Sequence, residues 1–492
     1  MKGQLLAHGF EEAERANECD VAVLNTCTVT AAADAEVRQV VRRIRRANPR
    51  CRILVTGCYA QRAPKEIAAL EGVAWVVGNS HKHAVADLLS TEFECSATLP
   101  QPPTAAPVNA PRIPQLLVRM EGAQGPSAGS TSPTPSTQAP AKAPARVLVG
   151  EIADAFHFTP VFAEDRTRPT LKIQDGCNAR CSFCVIPEVR GGSRSLAPHQ
   201  VISQVLLLQD SGYREIVLSG INLGGYGRDL NRRITFLGLL ERILAETSIP
   251  RLRISSIEPM DVTPDLIALV AREPRLARHF HIPLQSGCDR VLRLMNRRYW
   301  TDHYAQRVRD IREQIPDCGI GADVMVGFPG ETEADHEVSL RFIESLPLTY
   351  VHVFPYSLRP NTPAASITSQ VNGRISHGRG QEVRSAVEKK REEFLAAQVG
   401  RTLSVLTLHK QATFHPPPAE AHSTLALTSN YLRVALPGAR VPGNTLLDVR
   451  VRRAHDGILD GYPDGPRTQG VTEHCAELPE ADRPSGAQPL AG

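Results

Sequence analysis

The sequence has no apolar run near the ~18 residues that a membrane span requires. Its first twenty residues, MKGQLLAHGFEEAERANECD, lack the apolar core of a signal peptide. Both absences predict a cytoplasmic chain. A surplus of one charge is missing too. With 56 Lys and Arg against 52 Asp and Glu, the net charge is +4, so a nucleic-acid partner has to be argued from local patches. Eleven cysteines is an odd number. In a cytoplasmic chain they read as ligands, catalytic groups or buried thiols rather than disulfides. The rest is ordinary for a globular protein, 42% hydrophobic and 22% charged. A length of 492 residues allows two or three domains.

Residues 96–146 hold 11 of the 38 prolines. They have one acidic residue, Glu121, and few apolar ones, clustered around Ile113–Met120. Too little surface can be buried there to offset the ordering entropy, which predicts a largely disordered linker. It sets apart 1–95, where Val21–Asn25, Arg52–Thr56 and Trp75–Val77 read as strands, with helical patterns at 31–47 and 64–71. That is a doubly wound α/β unit opening on a helix, its first strand missing. From 147 to 399, six strands (Thr170–Gln174, Glu215–Ser219, Arg251–Ser255, His279–Leu284, Gly321–Val326 and Tyr350–Phe354) alternate with helical sequence. Such repetition predicts an α/β partial (β/α)6 barrel, with ligands at the C-terminal ends of its strands. A helix at 380–398 leads to β-rich runs over 400–455, a small β-barrel, and a structureless tail over 456–492.

Cys177, Cys181 and Cys184 follow the first barrel strand at C-x3-C-x2-C spacing. Three thiolates on one loop can hold three irons of a 4Fe–4S cube and leave the fourth open to the amine and carboxylate of S-adenosylmethionine. Structural zinc prefers four closed ligands, usually as two C-x2-C pairs, and no second pair follows. Phe183 would shield the cluster. The other strand-end loops supply candidate cofactor contacts: Gly220 and Asn222 in SGINLGGYG, Ser255, Ser256 and Glu258 in RISSIEP, and Val326 and Gly327 in VGFPGET. A glycine-rich βα loop is by itself more often a plain turn. It is their common placement on one rim that favours a site.

With NTCTVT (25–30), TGCYAQ (56–61), HIPLQSG (281–287) and HVFPYSLRPNTPAA (352–365) added, the chain resembles the methylthiotransferase family of radical S-adenosylmethionine enzymes. The last stretch and the GGYG loop favour the branch acting on threonylcarbamoyladenosine in tRNA. The resemblance implies an N-terminal domain with a second, auxiliary 4Fe–4S cluster, a radical domain, and an RNA-binding TRAM barrel. Gln285 joins the cofactor contacts. Cys27 and Cys58 match the second and third auxiliary ligands, and Cys19 and Cys51 read as buried or incidental thiols. The first ligand normally lies in a Gly-Cys motif after an opening strand, so this chain is expected to start at an internal methionine of a longer protein.

The family implies radical abstraction of hydrogen from C2 of the modified adenine, sulfur from the auxiliary cluster, and methyl from a second S-adenosylmethionine. An electron donor of the flavodoxin or ferredoxin kind and a sulfur donor are implied as partners, along with the tRNA anticodon loop. Alternatives are the isopentenyl-adenosine tRNA branch, the ribosomal-protein aspartate branch, and a truncated protein lacking sulfur insertion. For RNA contact, residues 401–453 hold seven Lys or Arg against two acids. Arg433, Arg450, Arg452 and Arg453 are the candidates, while Tyr431 either stacks on a base or fills the barrel core. Arg38, Arg42, Arg43, Arg45, Arg46 and Arg50 form a second patch whose default reading is a solvated helix face.

Overall fold

The computed structural model describes residues 1–93, 115–120, 144–152, 167–231, 234–411 and 423–464. The chain forms two compact units, Met1–Phe394 and Leu395–Gly492.

The first unit opens with α1 (Lys2–Ala7), β1 (Phe10–Glu12), β2 (Val21–Thr26), α2 (Ala31–Ala47) and β3 (Arg52–Gly57). It continues through α3 (Cys58–Arg62), α4 (Pro64–Ala68), β4 (Val73–Val77), α5 (Val85–Phe93), β5 (Gln115–Met120) and β6 (Arg146–Leu148). The sheet order is β1-β5-β2-β3-β4-β6, with β2, β3, β4 and β6 parallel. Parallel strands covered on both faces are apolar almost throughout, and Val21, Ala22, Val23 and Leu24 are all buried. Val37, Val40, Val41 and Ile44 of α2 cover one face. Leu5, Val85 and Leu89 cover the other. Thr30 caps α2, its Oγ1 accepting from Ala33 N–H at 3.1 Å.

Two boundaries differ from the sequence reading. Residues 115–120, placed in the linker, form β5, which pairs antiparallel with β1 and β2. Proline density outweighed the six-residue stretch QLLVRM, which is long enough for a strand. The radical domain was expected from 147, yet β6 belongs to the N-terminal sheet. The remainder of 96–146 apart from 144–146 lies outside the described residues.

The barrel runs through β7 (Thr170–Lys172), β8 (Gln174–Asp175), α6 (Ile186–Arg190), β9 (Arg194–Ser195), α7 (Pro198–Asp210), β10 (Glu215–Ser219), α8 (Phe236–Glu246) and β11 (Arg251–Ile254). Next come α9 (Pro264–Arg272), β12 (His279–His281), α10 (Asp289–Leu294), α11 (Thr301–Gln314), β13 (Gly319–Val326), α12 (Glu333–Ser345), β14 (Tyr350–Pro355) and α13 (Gly373–Ala396). The six principal strands are parallel, in the orders β7-β10-β11 and β12-β13-β14. Bridges Leu252↔Leu276 and Ser256↔His281 join the two halves, so the expected open six-stranded barrel is present. Alternation sorts its side chains. Ile216, Leu218, Leu252, Ile254, Phe280 and Ile320 join the outer apolar layer, while Glu215, Arg251, Arg253, His279 and His281 face the lumen.

The second unit is a closed barrel of β15 (Thr402–Gln411), β16 (Ser423–Thr428), β17 (Arg433–Pro437), β18 (Leu446–His455) and β19 (Ile458–Pro463), in the order β15-β16-β17-β19-β18. The structureless tail was expected from 456, but β19 closes this barrel. Its ILDGYP sequence carries a glycine and a proline that read as tail. Gly461 sits where an added Cβ would lie 2.4 Å from Val449, so the glycine permits close strand approach. Residues 465–492 lie outside the described residues.

Candidate cluster and cofactor site

The loop carrying Cys177, Cys181 and Cys184 leaves the sheet through Gly176, at φ 69°. A Cβ there would stand 1.9 Å from Gly192 O, so only glycine fits. Gly57, just before Cys58, is built alike, with φ 103° and a Cβ position 2.4 Å from Thr26 O. All three loop cysteines are free thiols of intermediate exposure. Cys177 Sγ accepts from Ala179 N–H at 3.3 Å, and Cys181 Sγ accepts from Arg297 Nη1 at 3.2 Å. Burial pushes the Cys184 thiol up to about 11 and raises Cys177, and each feels the neighbouring Cys181. Three clustered thiols with a guanidinium among them form a donor set that a cationic cluster would deprotonate and satisfy.

A cavity of about 420 Å³ opens beside the loop, lined by Cys181, Asn222 and Glu258 together with Asp261, Arg297 and Tyr299, among others. Three of the predicted residues are thus brought to one hollow. Arg297 also pairs with the Glu258 carboxylate. Burial still holds the Glu258 carboxyl above its ordinary value. Asn222 Oδ1 accepts from Gly225 N–H at 3.2 Å, and its own N–H donates to Gln174 Oε1 at 2.8 Å. Gly220 packs against the same Gln174, with no room for a Cβ.

Ser255 N–H is spent on Leu218 O at 3.1 Å, and Ser256 Oγ lies 2.6 Å from His281 Nδ1. Gln285 sits at φ 63° with its buried Oε1 lacking a hydrogen-bond partner among the described residues. Such an orphaned acceptor suits a bound polar group. Val326 O accepts from Tyr356 N–H at 2.9 Å. Gly327, at φ 71°, donates its N–H to Glu331 Oε2 at 2.6 Å. Both backbone groups are therefore committed within the protein. Phe183 meets Phe328 edge-on, 6.3 Å between ring centroids.

Cys27 and Cys58 follow the paired ends of β2 and β3, where Thr26 aligns with Gly57. Cys27 is exposed and Cys58 buried. Cys58 packs on Val185 and Val189, which follow the three-cysteine loop. Asn79 ties the two sides together, donating to Cys58 Sγ at 3.4 Å and to Val189 O at 2.8 Å. Lys82 donates to Asn25 Oδ1 at 2.8 Å. Burial, with Arg190 and Lys172 nearby, lowers its ammonium to about 8. Cys19 and Cys51 precede β2 and β3, at the opposite end of the sheet, and are buried with their sulfurs 3.2 Å apart. They are buried thiols, as expected, and remote from the ligand end.

Sequence reasoning missed Arg297, whose only signal was a pair of arginines in the short MNRRYW connection. It also missed Arg359, which donates to Asp34 Oδ2 at 2.7 Å across the contact between the N-terminal sheet and the βα barrel.

In the barrel unit, Arg433, Arg450, Arg452 and Arg453 are all exposed. Arg453 is engaged with Asp460 at 2.8 Å, and Arg452 lies over the ring of exposed Tyr462 at 5.9 Å. Tyr431, 40% exposed at φ 73°, is not barrel core. In the other basic patch, Arg38 donates to Tyr59 Oη at 2.8 Å and Arg45 to Glu71 at 3.3 Å, while Arg42, Arg43, Arg46 and Arg50 are exposed.

Comparison with known proteins decides the class. A model of the radical SAM superfamily matches residues 171–343, and one of the uncharacterized protein family UPF0004 matches residues 1–78. The threonylcarbamoyladenosine tRNA methylthiotransferase MtaB of Aquifex aeolicus is 32% identical, over 90% of this chain and 94% of the relative. Its Bacillus subtilis namesake is 33% identical, over 92% and 89%. The tRNA-2-methylthio-N(6)-dimethylallyladenosine synthase of Moorella thermoacetica is 30% identical, over 92% of each. The chain belongs to the radical S-adenosylmethionine methylthiotransferase family. It is therefore an enzyme whose cofactors are 4Fe–4S iron–sulfur and S-adenosylmethionine. For this methylthiotransferase the loop thiols, the Arg297 guanidinium and the orphaned Gln285 oxygen fit those groups. No helix among the described residues is long and apolar enough to cross a membrane.

Proposed function

We propose that this methylthiotransferase replaces hydrogen by a methylthio group at C2 of N6-threonylcarbamoyladenosine, next to the anticodon of cytoplasmic tRNA. The supporting observation is the cavity against Cys181, with Asn222, Glu258 and Arg297 on its wall. The relatives bearing the threonylcarbamoyladenosine name, matched over about nine-tenths of the chain, support the substrate. Cys177, Cys181 and Cys184 would hold the radical cluster, and Cys27 and Cys58 would contribute to the auxiliary one. When bound, the radical cluster supplies the electron that cleaves S-adenosylmethionine reductively.

The protein's own work is placement. Arg297 compensates thiolate charge at Cys181 and orients the Glu258 carboxylate, which can accept from the cofactor's amino or hydroxyl groups. Asn222 shapes the wall, Gly220 packs on the Gln174 that holds it, Gln285 offers its free oxygen, and Phe183 on Phe328 would keep water away. The packing of Cys58 on Val185 and Val189 puts the auxiliary thiol beside the radical loop, so the sulfur source and the radical source share one interface. The target base must leave its stack to enter. The exposed arginines and Tyr462 of the small barrel would hold the RNA, while a flavodoxin- or ferredoxin-like donor and a sulfur donor complete the partners.

The test is mass spectrometry of tRNA nucleosides from cells with and without the gene, paired with anaerobic assay of 5′-deoxyadenosine. Loss of the 2-methylthio form of threonylcarbamoyladenosine is expected, and loss of the dimethylallyl form instead would reject the substrate. Cys177→Ala, Cys181→Ala or Cys184→Ala should each abolish 5′-deoxyadenosine. Cys58→Ala should spare it and stop methylthiolation.

A further inference from the structure

The lumen face of the radical barrel carries a second group of ligating side chains, apart from the cysteines. His281 stands on β12, Asp323 on β13 and His352 on β14, three adjacent parallel strands. The registers His281↔Gly321 and Asp323↔His352 put them on one face. Their donor atoms lie within 4.8 Å of one another. His281 Nε2 and His352 Nδ1 each stand 3.3 Å from the same oxygen, Asp323 Oδ1.

That spacing is informative. Charge-assisted hydrogen bonds settle at ~2.8 Å; His352 Nδ1 makes a long one to Asp323 Oδ1, and His281 Nε2 makes none of acceptable geometry. Two ligands each about 2.1 Å from one ion, at tetrahedral or octahedral angles, stand roughly 3.0–3.4 Å apart. His281 is buried. Its Nδ1 is held by Ser256 Oγ at 2.6 Å, the kind of outer partner that orients a ligating imidazole. Tyr350 stacks parallel on the His281 ring, 5.9 Å between centroids, and fixes its plane. His352 is exposed, so solvent reaches the group.

We propose that His281, Asp323 and His352 bind a first-row divalent transition-metal ion, at a site separate from the iron–sulfur cysteines. Two imidazoles and one carboxylate leave coordination positions open, which water or another oxygen donor would fill.

The test counts metal on the full chain carrying its reconstituted iron–sulfur. Zinc is supplied, the excess is removed by anaerobic gel filtration, and zinc and iron are measured by mass spectrometry. One zinc per chain beyond the iron is expected. Asp323→Asn and His352→Ala should each weaken zinc binding by about 100-fold or more. Retained iron–sulfur absorbance near ~400 nm would show that these variants fold. Zinc can enter vacant cysteine sites, so the Cys177→Ala/Cys181→Ala/Cys184→Ala chain is measured alongside and should keep its zinc. No bound zinc, equal binding by Asp323→Asn, or loss of zinc with the cysteines alone would overturn the proposal and leave a plain His–Asp–His bridge. The count reads neither cofactor cleavage nor thiolation, so it stands or falls separately from the tRNA assignment.

Discussion

Arg297 shows how one side chain can set the chemistry of a loop far from it in sequence. It reaches Cys181 Sγ at 3.2 Å and the Glu258 carboxylate together, and buried charges survive only when paired in this way. A cation beside a ligating thiolate favours the reduced, more negative cluster. Replacing Arg297 by Met should lower the radical cluster's reduction potential, as read by potentiometric EPR titration. It should also slow 5′-deoxyadenosine formation by about 10–100-fold, the equivalent of a charge-assisted hydrogen bond. Arg297→Lys should recover part of the potential but not the two-pronged contact. An unchanged potential in Arg297→Met would refute this role.

At the scale of elements, the barrel's strands are held by charge inside as well as by apolar packing outside. Glu215 of β10 is fully buried, and Arg253 Nε donates to its carboxylate at 2.7 Å. Arg251 and Arg168 stand at 3.4 and 3.3 Å. Burial raises the Glu215 carboxyl, but the three guanidinium groups, Arg253 foremost, outweigh it and hold the group below its ordinary range. A depressed carboxyl contributes stability that is present above the ordinary glutamate value of 4.5 and is lost as pH falls through the folded value. Glu215→Gln should therefore cost about 3–5 kcal/mol at pH 7 by leaving buried cations unpaired. Denaturation measured down the pH scale should show the gap between variant and parent narrowing only below about pH 4.5. A gap independent of pH would point to packing instead.

In the small barrel, Tyr462 on β19 is 48% exposed beside Arg452. A base stacked on such a ring is worth about 1–3 kcal/mol. Tyr462→Ala should weaken anticodon stem-loop binding by roughly 5–150-fold with an unchanged salt slope, whereas Arg452→Ala should flatten that slope. Filter binding across a salt series checks both.

At the scale of the whole molecule, the N-terminal sheet and the radical barrel behave as one compact unit. The contact rests on more than the Cys58 patch. Arg359, almost wholly buried, donates to Asp34 Oδ2 and to Thr28 O, and Arg62 meets the same aspartate at 2.9 Å. Ala31 N–H donates to Ser357 Oγ at 2.9 Å. Arg359→Ala leaves Asp34 with a single cation and should destabilise the contact by about 3 kcal/mol. Calorimetry should then resolve an earlier transition for the N-terminal sheet, and methylthiolation should fall more than cofactor cleavage, because the proposed auxiliary thiols are displaced relative to the Cys177–Cys184 loop. A single cooperative transition in the variant would count against this coupling.

What the sequence by itself determined was whatever is encoded locally. The C-x3-C-x2-C loop, the βα alternation and the span of α2 (31–47) follow from spacing and periodicity, which need no partner to be read. The positions of Cys27 and Cys58 at strand ends follow in the same way. Tertiary structure alone decided which distant groups meet: Arg297 with Cys181, Arg359 with Asp34, Cys58 with Val189, and His281 with Asp323 and His352. It also decided that 115–120 is a strand, since its partners β1 and β2 lie far back along the chain, whereas β19 forms a hairpin with β18 across Asp456-Gly457, a local turn signal that the sequence reading passed over. Strand pairing and buried charge pairs take their energy from such non-local partners, and a linear sequence does not display them.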